Sequence, residues 1–340
     1  MQVKVSQAKE IITACFKAKL VPMLRGSPGC GKSDLYKQLA QAFNLLLIDK
    51  RLSQCDPTDL AGFPYIFGSK AGYVPFEDLP VEGDPIPEGY DGWLLLLDEF
   101  NAAVSPTMQA ASYKLVLDRM AGNKRLHPKC VVGAAGNLDT DNALAESMST
   151  ALQSRMVHLE LVLDHEEWLA WAMKFGIDHR ITDYIKFKPG SLYTFQPDHS
   201  DNTYACPRTW EFSNRLLKAF KGDVENPLVL PSLAGTVSEG IAREFLGYTK
   251  IYKDLIKVPQ IVADPEGITV PSEPAVLWAL TGSIAHNATM DNFTGLHKFV
   301  KRMPLEFQVI TMKETVHRNR EMLQHAAVRK WISESAIEYI

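Results

Sequence analysis

The stretch GSPGCGKS at residues 26–33 decides the fold, because it satisfies the pattern G-x-x-x-x-G-K-[ST]. It follows the apolar run 21–24, which predicts a short buried strand. It leads into residues 32–43, whose apolar spacing predicts a helix, and a second apolar run at 45–48 completes a strand-helix-strand unit. In this context the stretch predicts a backbone cradle for phosphate groups at the start of the helix.

The residue types of this loop suit phosphate and magnesium chemistry. Glycines let backbone N–H groups turn inward, Lys32 extends toward the outer phosphates of a nucleotide, and Ser33 offers a hydroxyl ligand to Mg²⁺. The alternative is a glycine-rich turn with a chance lysine. The predicted strand and helix favour the phosphate loop, because they flank the stretch where the mechanism requires them.

An acidic pair follows the next apolar run, WLLLL at 93–97. A continuous apolar run suits a strand buried on both faces, and ligands bind at the carboxyl ends of such strands. Asp98 is the candidate magnesium ligand with Ser33, and Glu99 the candidate base for the attacking water. Since a small-molecule kinase has no use for this glutamate, the pair favours hydrolysis. The predicted nucleotide-contacting residues are Gly26, Ser27, Pro28, Gly29, Cys30, Gly31, Lys32, Ser33, Asp34 and Asp98.

Three further polar residues are candidates by position. Asn137 follows the apolar run 131–135, where its amide reaches a water beside the terminal phosphate, although an asparagine after a strand is often a turn residue. Arg155 precedes the predicted strand 157–161, and Arg208 lies at a predicted helix start. An arginine is usually a solvated surface residue, so these two gain meaning only together with the phosphate loop.

The remaining pattern predicts five parallel strands that alternate with helices, followed by a part without strand signals. The predicted fold class is α/β, a P-loop αβα sandwich over residues 1–162, with an insert at about 51–91. Residues 163–340 are predicted to form a helical lid and extension, with helices at 209–220, 238–255, 275–285 and most of 304–340.

The composition and charge of the chain exclude several classes of protein. Of the 340 residues 46% are hydrophobic and 22% charged, which is typical of a folded globular protein. The net charge of −4 does not favour nucleic acid as the general partner, and no apolar run is long enough for a membrane span. The five cysteines lack C-x-x-C spacing, so we expect reduced thiols and no structural metal. The first 20 residues do not have the pattern of a signal peptide, so we expect a cytoplasmic protein.

The motifs occur in an order that resembles the AAA+ ATPases, and specifically their MoxR-like branch. The order is GSPGCGKS, LLLLDE, AAGN, LQSRM and PRTW. A sharper resemblance, to a smaller subgroup, lies in RLSQCDPTDLAG at 51–62, DEFNAAVSPTMQAASYKLVLDR at 98–119 and PRTWEFSNRLL from residue 207. The similarity spans essentially the whole chain.

The resemblance implies a ring, usually of six subunits, with ATP bound at each subunit interface. By family role, Lys32 and Ser33 belong to Walker A, and Asp98 and Glu99 to Walker B. The remaining roles are sensor 1 for Asn137, sensor 2 for Arg208 and a trans arginine finger for Arg155. An arginine supplied in trans to a phosphoryl transfer is worth on the order of 10³–10⁵ in rate.

The chain departs from the branch in two places. Many members carry Asn-Arg after the acid pair, whereas this chain has Asn101-Ala102, so Arg119 becomes a second trans candidate. No D-x-S-x-S signature occurs, so any von Willebrand factor A partner is expected as a separate protein. Aromatic residues of the segment 59–82 either grip a substrate near the pore or pack the insert onto the domain.

The sequence thus predicts a Mg²⁺-dependent ATPase that remodels a partner protein, in the manner of a chaperone. Two alternatives stay open. A nucleic-acid motor would use Lys124, Arg125 and Lys129 in its pore, and a nucleotide-gated scaffold would turn over little ATP. The client, the ring stoichiometry and the preference for ATP over GTP are not fixed by the sequence.

Overall fold

The structure, a computed structural model, describes residues 1–101, 106–141, 153–253 and 255–335. The chain divides into two units, each described separately below. The first consists of Met1–Glu167 with Phe195–Ser200, and the second of Trp168–Thr194 with Asp201–Ile340. Within the described ranges no helix combines the length and the apolarity that crossing a membrane requires.

A six-stranded parallel sheet forms the centre of the first unit. The strands of this unit are β1 (Gln2–Val3), β2 (Val21–Arg25), β3 (Leu45–Arg51), β4 (Phe63–Phe67), β5 (Lys70–Val74), β6 (Gly92–Asp98), β7 (Met120–Ala121), β8 (Lys124–Arg125), β9 (Cys130–Gly136) and β10 (Met156–Leu161). The central sheet has the order β1-β10-β2-β9-β6-β3, and its pairings are parallel. The five predicted strands are all present. The predicted number was wrong by one, because the two-residue β1 pairs with the edge of β10 and is too short to show a sequence pattern.

Helices cover both faces of this sheet. In the first unit they are α1 (Val5–Lys17), α2 (Lys32–Ala42), α3 (Pro57–Ala61) and α4 (Pro106–Tyr113). Successive residues of β6 face opposite sides: Leu94 and Leu96 join the core under α1 and α2, and Leu95 and Leu97 join the core under α3 and α4. All four leucines are fully buried, as the continuous apolar run predicts. The first unit is therefore an αβα sandwich of the P-loop class, with the glycine-rich loop between β2 and α2.

Helix α2 is tied to the sheet by one buried tyrosine. The Tyr36 hydroxyl lies 3.1 Å from the carbonyl oxygen of Pro22 on β2 and 3.0 Å from that of Ala134 on β9. Its ring occupies the space over Gly133, where an added Cβ would lie 2.4 Å from a ring carbon. Tyr36 therefore fixes the helix that begins with the phosphate loop against two central strands.

The predicted insert contains a short helix and an exposed hairpin. Helix α3 is followed by the antiparallel pair β4 and β5, which register Phe63 opposite Val74. The aromatic side chains of β4 point to solvent: Phe63 is 63% exposed, Tyr65 53% and Phe67 78%. The described structure therefore does not show these aromatics packing the insert onto the domain.

The segment after the acidic pair is described only in part. Helix α4 continues as a π-helical turn, Lys114–Asp118, and ends at Arg119 with a left-handed φ of 53°. In the sequence, Ser105-Pro106 predicts a helix start and the apolar pattern at 144–154 predicts a further helix. Ser105 and residues 144–152 lie outside the described residues.

The described residues of the second unit form helices and no strand. They are α5 (His165–Phe175), which begins at the end of the first unit, then α6 (His179–Phe187), α7 (Pro207–Ala219), α8 (Val229–Val237), α9 (Glu239–Lys253), α10 (Val258–Ala263), α11 (Pro274–Asn287), α12 (Phe293–Val300), α13 (Leu305–Arg318) and α14 (Ala326–Ser335). Sequence patterns missed α6, α8, α10 and α12. The predicted helix over most of 304–340 is interrupted after Arg318, where Asn319 caps a 3₁₀ turn.

Candidate functional site

The phosphate loop and the acidic pair lie at the same edge of the sheet. Strand β9 lies between β2 and β6, and register pairs Arg25 with Gly136 and Leu97 with Ala134. The carboxyl ends of these three parallel strands are therefore neighbours. They deliver the loop 26–31, Asp98 with Glu99, and Asn137 to one place.

Lys32 lies inside the concave side of the loop. Its side chain is buried, at 8% exposure, and its ammonium donates to the carbonyl oxygens of Gly26 at 2.6 Å and Ser27 at 3.1 Å. The same ammonium donates to the Asn137 side-chain oxygen at 3.1 Å. These acceptors are uncharged, so phosphate oxygens that enter the loop compete with them favourably for the ammonium.

The loop fits an oxyanion because of its glycines. Gly31 is the N-cap residue of helix α2, in the left-handed conformation with φ of 96°, and it has no side chain that could bond the first-turn N–H groups. A Cβ built on Gly31 would meet no atom of the described residues within 4 Å, so the backbone lies open to them on that side. A helix N-terminus with open backbone N–H groups is a binding site for phosphate.

Ser33 and Asp98 form the oxygen pair that the sequence predicts for magnesium. The Ser33 hydroxyl donates to Asp98 Oδ2 at 2.7 Å, and Asp98 is buried at 8% exposure. Hydroxyl and carboxylate oxygens are ligands that suit Mg²⁺, which usually keeps several waters and binds few protein groups. The residues present therefore fit the metal. Asp34 lies one residue further on, exposed, with its carboxylate 3.5 Å from Lys37.

Glu99 is held in a strained backbone conformation directly after β6. Its φ is 54°, which is uncommon for a residue with a side chain. Its backbone N–H donates to Asp98 Oδ1 at 2.8 Å, and its carboxylate accepts a hydrogen bond from the Ser53 hydroxyl. Strain of this kind persists where the surroundings enforce it, and it clusters at functional sites.

Three residues at this edge were missed by the sequence analysis. Ser53 reaches Glu99 from the turn after β3, and Asn101 contacts Asn137 through two hydrogen bonds. Asp141 accepts from the Ser27 hydroxyl at 3.1 Å. The RLSQ and DEFN motifs contain Ser53 and Asn101, but only the strand order shows what they contact.

The carboxyl group of Asp49, near Asp98, has a raised pKa. Asp49 lies on β3 opposite Leu96 of β6. Burial raises the pKa of Asp49, and the nearby Asp98 carboxylate adds to the effect. The Asp98 carboxylate therefore acts on Asp49 as a negative charge, part of which a bound Mg²⁺ would offset.

The three predicted arginines are described below, each within its own unit. Arg155 is exposed just before β10, and Arg119 donates to the backbone carbonyl of Cys130. Arg208 belongs to the second unit, where it is exposed in the first turn of α7.

The PRTW motif has a local structural explanation. Thr209 accepts from the Cys206 backbone N–H at 2.8 Å, which closes the start of α7. Trp210 is fully buried against Tyr184 and Phe245, and its indole N–H donates to the Ser191 carbonyl at 2.9 Å. The motif thus anchors the helix through Trp210 and leaves Arg208 at the surface.

No protein-family profile and no curated protein matches the chain. It is similar to two structures of NtrX from Brucella abortus, one in complex with ATP and one with ADP. Their TM-scores are 0.42 and 0.41 at 13% and 12% identity, with 97% of this chain and 67% of NtrX covered. It is also similar to the RuvB Holliday junction branch migration motor of Thermotoga maritima, with TM-score 0.37, 14% identity and coverage of 77% and 80%. Similarities of this size carry no argument about what this chain does.

Proposed function

We propose that the chain is a Mg²⁺-dependent ATPase of the AAA+ type. One observation carries the proposal: hydrogen bonds join the adjacent loop residues Lys32 and Ser33 to motif residues from distant parts of the sequence, at the edge of the sheet. Lys32 contacts Asn137, Ser33 contacts Asp98, and Glu99 follows Asp98 directly. A phosphate loop, a magnesium-binding pair and an adjacent carboxylate are the parts that ATP hydrolysis requires.

Each residue has a distinct part in the proposed reaction. Backbone N–H groups of the loop and the Lys32 ammonium hold the phosphate oxygens, and Glu99 takes a proton from the water that attacks the terminal phosphorus in line. The bond from that phosphorus to the bridging oxygen breaks, and ADP leaves with inorganic phosphate as the second product. Asn137 orients that water. Mg²⁺, when bound, neutralises charge that develops on the phosphate oxygens, and Ser33 and Asp98 are the residues that would hold it.

We propose further that the site is completed by a neighbouring subunit in a ring, with six subunits as the expected number. The exposed position of Arg155 supports a role toward another subunit. Its guanidinium would stabilise transition-state charge in the neighbour's site. Arg208, exposed at the start of α7, would report the nucleotide state to the helical part.

Remodelling of a partner protein is the proposed use of the hydrolysis energy. The hairpin of β4 and β5 supports it, because exposed apolar side chains such as Ile66 and Phe67 are typical of protein contacts. A separate von Willebrand factor A-type protein is a candidate partner. A nucleic-acid motor is the second candidate, supported by the exposed Lys124 and Arg125 on β8.

The test is phosphate release from Mg²⁺-ATP over a range of protein concentrations. The variants are Glu99→Gln, Arg155→Ala, and an equal mixture of Arg155→Ala with Lys32→Ala. We expect specific activity to rise with concentration, both single variants to be inactive, and the mixture to recover part of the activity. Activity that is independent of concentration and unaffected by Arg155→Ala would remove the shared site.

Two further experiments distinguish the ATPase that remodels a protein from a nucleic-acid motor and from a scaffold. ATPase stimulation by DNA or RNA that weakens with added salt would favour the motor. A scaffold with little turnover would keep its assembly function in Glu99→Gln and lose it in Lys32→Ala. Repeating the assay with GTP measures the base preference.

A further inference from the structure

Asn101 makes an unusual pair of contacts at the end of β6. It is buried, at 4% exposure, although it carries a polar amide. Its Nδ2 donates to the Asn137 backbone carbonyl at 2.8 Å, and its Oδ1 accepts from the Asn137 backbone N–H at 3.0 Å. One side-chain amide therefore holds both backbone polar groups of a single residue, which restrains the φ and ψ angles of Asn137.

The neighbouring glycine is shaped by this contact. A Cβ added to Gly136 would lie 2.1 Å from Asn101 Oδ1 and 2.8 Å from the Met23 terminal methyl. The methionine end is flexible, but Asn101 is held by its two hydrogen bonds, so the space for its amide exists only if residue 136 lacks a side chain. Gly136 of AAGN and Asn101 of DEFN thus depend on each other: the small glycine leaves the space that the Asn101 amide occupies.

The contacts of Asn101 connect the acidic pair to the phosphate loop. Two residues after Glu99, Asn101 holds the Asn137 backbone, and the Asn137 side chain accepts from the Lys32 ammonium at 3.1 Å. A backbone hydrogen bond from Phe100 to Ala135, at 2.8 Å, runs beside it. The turn that carries Glu99 and the residue that contacts Lys32 are therefore fastened to each other.

We infer that Asn101 is a positioning residue, which sets the place of the Asn137 amide relative to Lys32 and to the terminal phosphate of the nucleotide. This inference rests on the proposed function. The alternative is a purely structural role, in which Asn101 only forms hydrogen bonds with buried backbone groups at the sheet edge. A structural role lowers stability alone, whereas a positioning role acts on nucleotide chemistry through Asn137.

The test is a double-mutant cycle of Asn101→Ala and Asn137→Ala, with kcat and KM for ATP measured in all four proteins. We expect Asn101→Ala to lower kcat by on the order of 10- to 100-fold with a small change in KM, because small misplacements near a reaction centre cost that much. We expect the double variant to match Asn137→Ala within about two-fold, since Asn101 acts through Asn137. Losses that multiply, or an unchanged kcat with a lower melting temperature only, would overturn the inference.

The matched control is Asn287→Ala in the second unit. The Asn287 side chain also donates to a backbone carbonyl, that of Ser283 at 2.8 Å. We expect it to change stability without changing kcat.

Binding measurements keep the two proposals separable. The ratio of ATP to ADP affinity, measured in the four proteins with EDTA and again with Mg²⁺, reports the contact to the terminal phosphate without turnover. If wild-type protein binds but does not hydrolyse ATP, the proposed function fails, and the inference stands when both single variants and the double variant lower the ratio equally. If Asn101→Ala leaves the ratio unchanged while Asn137→Ala lowers it, the inference fails on its own. Protein that binds neither nucleotide refutes both.

Discussion

Two regions of the described structure that bury charged groups are built differently. At the sheet edge of the first unit, Lys32 donates to backbone carbonyls and an amide, beside the strained Glu99. In the second unit, a charge cluster of Asp183, Lys186, Glu314 and Arg318 joins α6 to α13. We call the first region the phosphate-loop site and the second the helical charge cluster.

The two regions differ in the groups that accept hydrogen bonds from the buried cations. In the helical charge cluster Arg318 pairs with Asp183 at 2.7 Å, and Lys186 pairs with Glu314, so two cations face two carboxylates. Such a balanced cluster contributes to packing specificity, and breaking it is costly. In the phosphate-loop site the described hydrogen bonds of Lys32 include three to neutral oxygens, beside an open glycine backbone, which suits an anion that comes and goes. Burial of charge alone therefore does not identify a functional site.

The largest expected contrast comes from removing one lysine in each region. Lys32→Ala should lower ATP turnover by roughly 100-fold or more, because a charge contact to the reacting phosphate is lost. Lys186→Met should retain turnover per folded molecule at low temperature and lower the melting temperature by on the order of 10 °C, since a buried ion pair is broken. Phosphate release and thermal unfolding of both variants measure the contrast. Normal turnover in Lys32→Ala together with lost turnover in folded Lys186→Met would contradict the comparison.

The next effect concerns magnesium. Ser33→Ala should raise the Mg²⁺ concentration for half-maximal activity by roughly 10-fold or more, because a hydroxyl ligand is removed. Titration of Mg²⁺ at saturating ATP measures it. Ser6→Ala is the control, since the Ser6 hydroxyl donates to Glu167 away from the loop. Equal magnesium curves for wild-type and Ser33→Ala protein would exclude Ser33 as a ligand.

A smaller effect tests how the phosphate loop is supported. Tyr36→Phe removes the hydroxyl between β2 and β9 and leaves buried carbonyl oxygens with less hydrogen bonding, at a cost of about 1–3 kcal/mol. We expect the melting temperature to fall by a few degrees. Tyr65→Phe, at an exposed hairpin position, should leave it unchanged. If both variants melt like wild type, the Tyr36 hydroxyl does not support the helix.

The smallest effect is a pH dependence from the helical charge cluster. Burial raises the pKa of Asp183 to about 6 from 3.8, although Arg318 opposes the shift. The folded protein thus retains a proton between about pH 4 and pH 6 that the unfolded chain releases. The stabilising contribution of Asp183 is complete below about pH 4 and is lost as pH rises through 6. The stability difference between wild type and Asp183→Asn should shift against wild type over that window, measured by denaturation midpoints, and a constant difference would refute the raised pKa.

The sequence predicted local features well and contacts between distant segments poorly. GSPGCGKS and the run before Asp98 identified the loop, the buried strands and the sheet edge at which the motif residues lie, because each carries its signal in a few adjacent residues. Helices such as α8 and α10 were missed, since nine and six residues give too few turns for a periodic signal. The partners of Ser53 and Asn101 depend on strand order and register, which no local pattern encodes.

The measurement that tests the central claim most directly separates ATP binding from ATP hydrolysis in Glu99→Gln. The variant keeps the loop, Lys32 and the Ser33–Asp98 pair, but its amide cannot take a proton from water. The account predicts ATP affinity within a few-fold of wild type and phosphate release lower by on the order of 10²–10⁴. Phosphate release at the wild-type rate would contradict the account, because Glu99 would then not be the base that activates water.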